Sequence, residues 1–189
     1  MGSFYTNITL KTGDDDRVVT ALKQARRRAL VAPAEKGYTV IFDEASEKQD
    51  VEVLQSLANH LSRTCSCPAL AILNHDDDVL MYWLYNGGEL LDQYNSDPGY
   101  FDEAEGSTPT GGDGRTLSET LASKGDQGTI DRVLRTPADE DDAFAFATDR
   151  HRELVSILGL PESAVGTGFA YLEEGEAPPG LEIASLRRV

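Results

Sequence analysis

The first 74 residues switch between two hydrophobic periods in an order that few folds accept. Phe4, Thr6, Ile8 and Leu10 alternate with Tyr5, Asn7, Thr9 and Lys11, the period of two of a half-buried strand. After Gly13, the run Asp14-Asp15-Asp16 opens a helix that carries Val18, Leu22 and Ala25 on one face. Carboxylates there meet the positive end of the helix dipole, which makes the run a cap rather than a metal site.

Two short β-prone stretches, 29–31 and 38–42, flank the turn-like Pro33-Ala34-Glu35-Lys36-Gly37. A second helix follows, with Val51, Leu54, Leu57, Ala58 and Leu61 at helical spacing. Pro68 then introduces Ala69-Leu70-Ala71-Ile72-Leu73, apolar on both faces and hence a central strand. The order is β-α-β-β-α-β, the ferredoxin-like arrangement with two helices on one face of an antiparallel sheet.

Beyond it, Asn86-Gly87-Gly88 separates two β-rich runs, a hairpin signal that extends the sheet by two strands. Val79, Met81, Trp83 and Tyr85 project from one face of the first of these, and Leu80, Tyr82 and Leu84 from the other. Both faces therefore need cover. The second cover expected is a C-terminal helix bearing Ala147, His151, Leu154, Val155 and Leu158, ended by Gly159 and Pro161. The fold class is thus α+β: a ferredoxin-like βαββαβ core extended by a hairpin, with C-terminal helices packing on the sheet. Residues 1–94 form the sheet core. Residues 95–115 form an acidic Gly/Pro-rich loop, and 116–189 a helical segment of the same domain, opened by a Thr116 and Glu119 capping box.

Charge limits the partners. Asp and Glu number 33 against 17 Lys and Arg, a formal net charge of -16. Such a field repels phosphate backbones and anionic lipid headgroups, so no nucleic acid and no membrane is expected. The dense basic cluster Arg26-Arg27-Arg28 reads as the last turn of the first helix, where cations complement the dipole. No apolar stretch approaches a membrane span and no signal peptide is evident, so the expected location is cytoplasmic. The two cysteines, Cys65 and Cys67, are too few for a structural zinc site and lack the spacing of a redox pair. They read as reduced thiols, and no cofactor is expected.

The sharpest local feature is His75-Asp76-Asp77-Asp78 between two predicted strands. An imidazole with carboxylates can hold a hard cation or move protons. The topology brings Asp97 to the same end of the sheet, so His75, Asp76 and Asp97 are the metal candidates. Consecutive residues on a turn point in different directions, however, which favours a solvated hairpin. Trp83, Tyr85 and Tyr100 are the candidate ligand-binding aromatics. His60 and His151 read as packed residues, and no nucleophile elbow, phosphate loop or zinc-protease motif occurs, leaving catalytic residues unassigned. The leading functional reading is a non-catalytic protein-interaction or regulatory module whose acidic surface meets a basic protein partner, as a toxin-neutralising subunit does. The alternative is a metal-dependent hydrolase or small-ligand binder using the His75/Asp76 region.

Overall fold

In a computed structural model, which describes residues 2–102, 105–137 and 144–189, eight strands form one sheet. They are β1 (Tyr5–Leu10), β2 (Ala29–Val31), β3 (Thr39–Asp43), β4 (Ala69–His75), β5 (Val79–Asn86), β6 (Glu89–Asn95), β7 (Thr110–Gly111) and β8 (Arg187–Arg188). Their order is β7-β6-β5-β4-β1-β3-β2-β8, and every neighbouring pair is antiparallel. The described residues also contain six α-helices: α1 (Asp15–Gln24), α2 (Val51–Cys65), α3 (Gly114–Leu121), α4 (Gln127–Arg135), α5 (Ala147–Leu158) and α6 (Phe169–Glu173).

The alternation in each strand sorts side chains into two layers. Ile8, Leu10, Ile41, Ala71, Leu73 and Trp83 pack under α1 and α2 with Leu22, Leu54 and Leu61. Tyr5, Leu70, Ile72, Tyr82 and Leu84 face α3, α4 and α5, meeting Leu117, Leu134, Leu154 and Leu158. A smaller cluster of Leu30, Val40 and Phe42 lies beneath Phe169 and Leu172 of α6 and Leu186. The protein is therefore mixed α+β, with helices on both faces of an antiparallel sheet. Burying a large apolar side chain contributes roughly 1.5–3 kcal/mol, so Leu154, Val155 and Leu158 hold α5 firmly on the sheet.

Local chemistry explains where the helices begin. Asp14 caps α1 by accepting from Arg17 N, and Asp50 caps α2 by accepting from Glu52 N and Val53 N. Helix α3 opens at Gly114 with Asp113 as its cap, accepting from Thr116 N. The Thr116 and Glu119 capping box is not used, and Glu119 instead pairs with Arg115. Gly159, left-handed at φ +69°, ends α5, where Leu160 N donates back to Val155 O.

The basic cluster lies beyond α1 rather than in its last turn, because Arg26 adopts φ +53° and turns the chain toward β2. Arg27 then grips the buried carboxylate of Asp43 through Nε at 2.9 Å and Nη2 at 2.5 Å. Arg28 pairs with Glu44 and Glu173, Arg187 with Asp15 and Asp16, and Arg188 with Glu173. These cations are spent on internal pairing. Among the described residues no helix is long and apolar enough to cross a membrane.

Candidate binding face

The turn between β4 and β5 organises one end of the sheet. Asp76 and Asp77 both have positive φ, +51° and +62°, and Asp78 N closes the turn on His75 O at 3.0 Å. This is the geometry of a type I′ turn, in which Asp is among the better-tolerated residues. Asp77 N donates to Ser3 O, and Gly2 N donates to Asp76 Oδ1 at 3.1 Å. Asp77 Oδ1 accepts from Thr148 N at 2.9 Å, Thr148 Oγ1 at 2.5 Å and Asn74 Nδ2 at 3.2 Å. Two of the three acidic side chains thus bind the protein's own backbone and hydroxyls.

His75 projects from the α1/α2 face and is the hub of an aromatic cluster. The rings of Phe4, Tyr100 and Phe101 meet it edge-on at centroid distances of 5.0, 5.6 and 5.0 Å, and Tyr100 meets Phe101 at 5.1 Å. Edge-to-face contact of this kind is the favoured arrangement of ring quadrupoles. His75 Nδ1 lies 2.5 Å from Gln49 Oε1, while Gln49 Nε2 donates to Asn74 O at 2.6 Å. That second bond assigns the amide orientation, so Gln49 Oε1 accepts and His75 Nδ1 donates. Desolvation, with the nearby Asp78 and Asp76 carboxylates, raises the Tyr100 phenol above its ordinary value. Phe4 and Tyr100 are each 40% exposed and Phe101 57%. Such exposure of three adjacent rings is unusual on a surface that is otherwise polar.

Beside this cluster, β5, β6 and β7 extend past the edge of α2. The uncovered face forms a cleft of about 420 Å³ with Trp83 and Met81 at its floor, Gln93, Asn95 and Thr110 along one side and Val51 of α2 on the other. Asn95 ties the two features together: its Oδ1 accepts from Asp97 N at 3.0 Å, and Asp97 O accepts from Tyr100 N.

Of the sequence candidates, His75 and Tyr100 are brought into contact, and Trp83 lines the adjoining cleft. Tyr85 is buried in the α2 layer, its hydroxyl donating to Gln55 Oε1 at 3.2 Å. Asp97 Oδ1 is buried and has no hydrogen-bond partner among the described residues. Among the described residues no group of three His, Cys, Asp or Glu side chains converges as metal ligands, so His75, Asp76 and Asp97 do not assemble into a metal-ligand group there. Sequence reasoning missed Phe4, Gln49 and Phe101. Phe101 carried a signal, an aromatic pair with Tyr100 inside a polar loop, whereas Phe4 was indistinguishable from an ordinary strand residue.

The buried titratable groups lie elsewhere and serve the fold. His151 Nδ1 meets the Tyr5 hydroxyl at 2.8 Å beneath α5. Complete burial, with a smaller effect from Arg152, pushes the imidazole pKa down to about 3, and burial pushes the Tyr5 phenol up to about 12. The cavity beside them holds about 10 Å³, room for one water at most, so no substrate reaches this pair. Glu47 accepts from Phe169 N at the start of α6, and burial raises its carboxyl to about 7 against the opposing effect of that bond. The Cys67 thiol, hydrogen-bonded to Cys65, lowers the pKa of Cys65, and both thiols are free and buried.

Compared with known proteins, this chain matches no family model, no curated protein and no solved structure.

Proposed function

We propose that this chain is a non-catalytic protein-interaction module whose acidic surface receives a basic protein partner at the sheet end built from His75, Phe4, Tyr100 and Phe101. The observation that carries this reading is the convergence of three exposed rings around His75 beside the Asp76–Asp78 turn. Exposed aromatics anchor protein interfaces, because they bury large area at low entropic cost. Carboxylates around them favour a cationic partner and speed its approach at low salt. The surplus of negative charge, -16, acts in the same direction.

The order β4-β1-β3-β2, with α1 and α2 on one face, supports reading this part of the sheet as a ferredoxin-like βαββαβ core onto which the β5-β6 hairpin is added. Such a core hosts many functions, so the functional reading rests on the face and not on the fold. The two free thiols support a reducing, cytoplasmic setting.

The test is backbone amide chemical-shift mapping with a lysine- and arginine-rich peptide at about 0.05 and 0.5 M salt. Shifts confined to residues 75–78 and 95–102, weakening with salt, support the module. Absence of binding at low salt, or shifts scattered over the whole acidic surface, overturns it. A second reading, small-ligand binding, is favoured by the cleft over Trp83. A fluorescent apolar probe displaced from wild type but not from Trp83→Ala supports it.

A further inference from the structure

Resting on that reading, we infer that the partner presents an arginine side chain to the His75 cluster, so that the site is selective for guanidinium over ammonium. Two features point to this chemistry. The first is the set of rings: Phe4, Tyr100 and Phe101 stand at 82°, 71° and 67° to the His75 plane, and Tyr100 at 72° to Phe101. In each edge-to-face pair at least one ring keeps a face that its neighbour does not cover, and the three rings are 40–57% exposed. A planar, weakly hydrated guanidinium stacks on such faces, whereas a compact ammonium keeps its water.

The second is the distribution of acceptors. A guanidinium carries five N–H donors in one plane and needs acceptors beside the ring it stacks on. Asp78, an exposed carboxylate close to Tyr100, supplies one. An ammonium uses a carboxylate equally well but gains nothing from the fork geometry.

A second copy of this chain does not fit the role, because each copy carries a net charge of -16 and brings the same carboxylates to the contact.

The experiment compares two peptides of equal length and charge, one with arginine and one with lysine at every cationic position, titrated against the full chain by calorimetry. The expected result is that the arginine peptide binds about tenfold more tightly, as cation–π stacking on partly desolvated rings predicts. Phe101→Ser, which leaves the net charge unchanged, and Asp78→Asn should each reduce that ratio toward one. Equal affinity of the two peptides, or a ratio that both variants leave intact, overturns arginine selectivity while the broader interaction reading survives. Failure of both peptides to bind overturns both. Circular dichroism of each variant guards against loss of folding, which is not expected at side chains this exposed.

Discussion

The carboxylate of Asp77 caps helix α5 through Thr148, a residue 71 positions further along the chain. The residue at the N-cap of α5, Phe146, offers no side-chain cap of its own. The β4–β5 turn supplies what the helix lacks, and Ala147 N adds a bond to Asp77 O at 2.7 Å. Losing an N-cap costs about 1 kcal/mol and up to about 2. Asp77→Ala should therefore destabilise the protein by about 2 kcal/mol in urea denaturation, since Ala also tolerates φ +62° poorly. Asp77→Asn should keep more than half of that stability, and Asp76→Ala, which bears a like backbone cost at φ +51° but removes no helix cap, should cost less than Asp77→Ala. Equal effects at 76 and 77 would show that the cap contributes nothing.

His151 makes stability fall in acid. Its pKa is about 6.5 in the unfolded chain and about 3 when folded, so the unfolded state takes up a proton that the native state refuses. This stabilisation is present above pH 6.5 and is lost as the pH falls toward 3. At pH 5 the loss should be about 2 kcal/mol relative to pH 7. His151→Gln, which removes the titration but keeps a partner for Tyr5, should flatten the pH dependence measured by denaturant midpoints.

Glu47 acts with the opposite sign. Its folded pKa of about 7 stands above the ordinary 4.5, so the native state retains a proton that the unfolded chain has released. The contribution is fully present below pH 4.5 and declines as pH rises through 7. The two slopes oppose one another between pH 4.5 and 6.5, which predicts a broad plateau there and declines on either side. In Glu47→Gln the alkaline decline should vanish while the acid decline remains.

The aromatic residues should divide by role. Trp83, 6% exposed at the cleft floor, should cost about 3 kcal/mol on replacement by Ala, the low end for a core aromatic because one side already borders open space. Tyr100→Ala and Phe101→Ala should each stay within about 0.5 kcal/mol of wild type, as exposed positions usually do. A large loss at Phe101 would mark the ring cluster as a piece of the core rather than a surface for a partner.

Periodicity made the long elements legible. The alternation in β1, the helical stripe of α2 and the apolar run of β4 each point to one structure, because burial on one side imposes one period. The two-residue strands β7 and β8 have no such signature, since a pair of residues has no period, and only neighbours distant in sequence make them strands. The start of α3 lies before the Thr116 and Glu119 capping box because Asp113, three residues earlier than Thr116, accepts from Thr116 N. His75 and Tyr100 were legible as candidates because both sit in turns rich in acidic residues. Their contact with Phe4 and Gln49 was not, because it depends on how tightly the segment before β1 and the residues before α2 fold onto the sheet end.

Strand β8 has a consequence for how the molecule behaves in company. Its partner β2 is only three residues long and would otherwise end the sheet with a row of unmet amide and carbonyl groups, apolar on both sides. Arg187 and Arg188 occupy that row, and reciprocal bonds between Ala29 and Val189 fasten it at 3.0 and 3.3 Å. An open edge of this composition recruits other chains. The last residues therefore work as a selvedge, keeping the sheet from being stitched to its neighbours in a crowded cell.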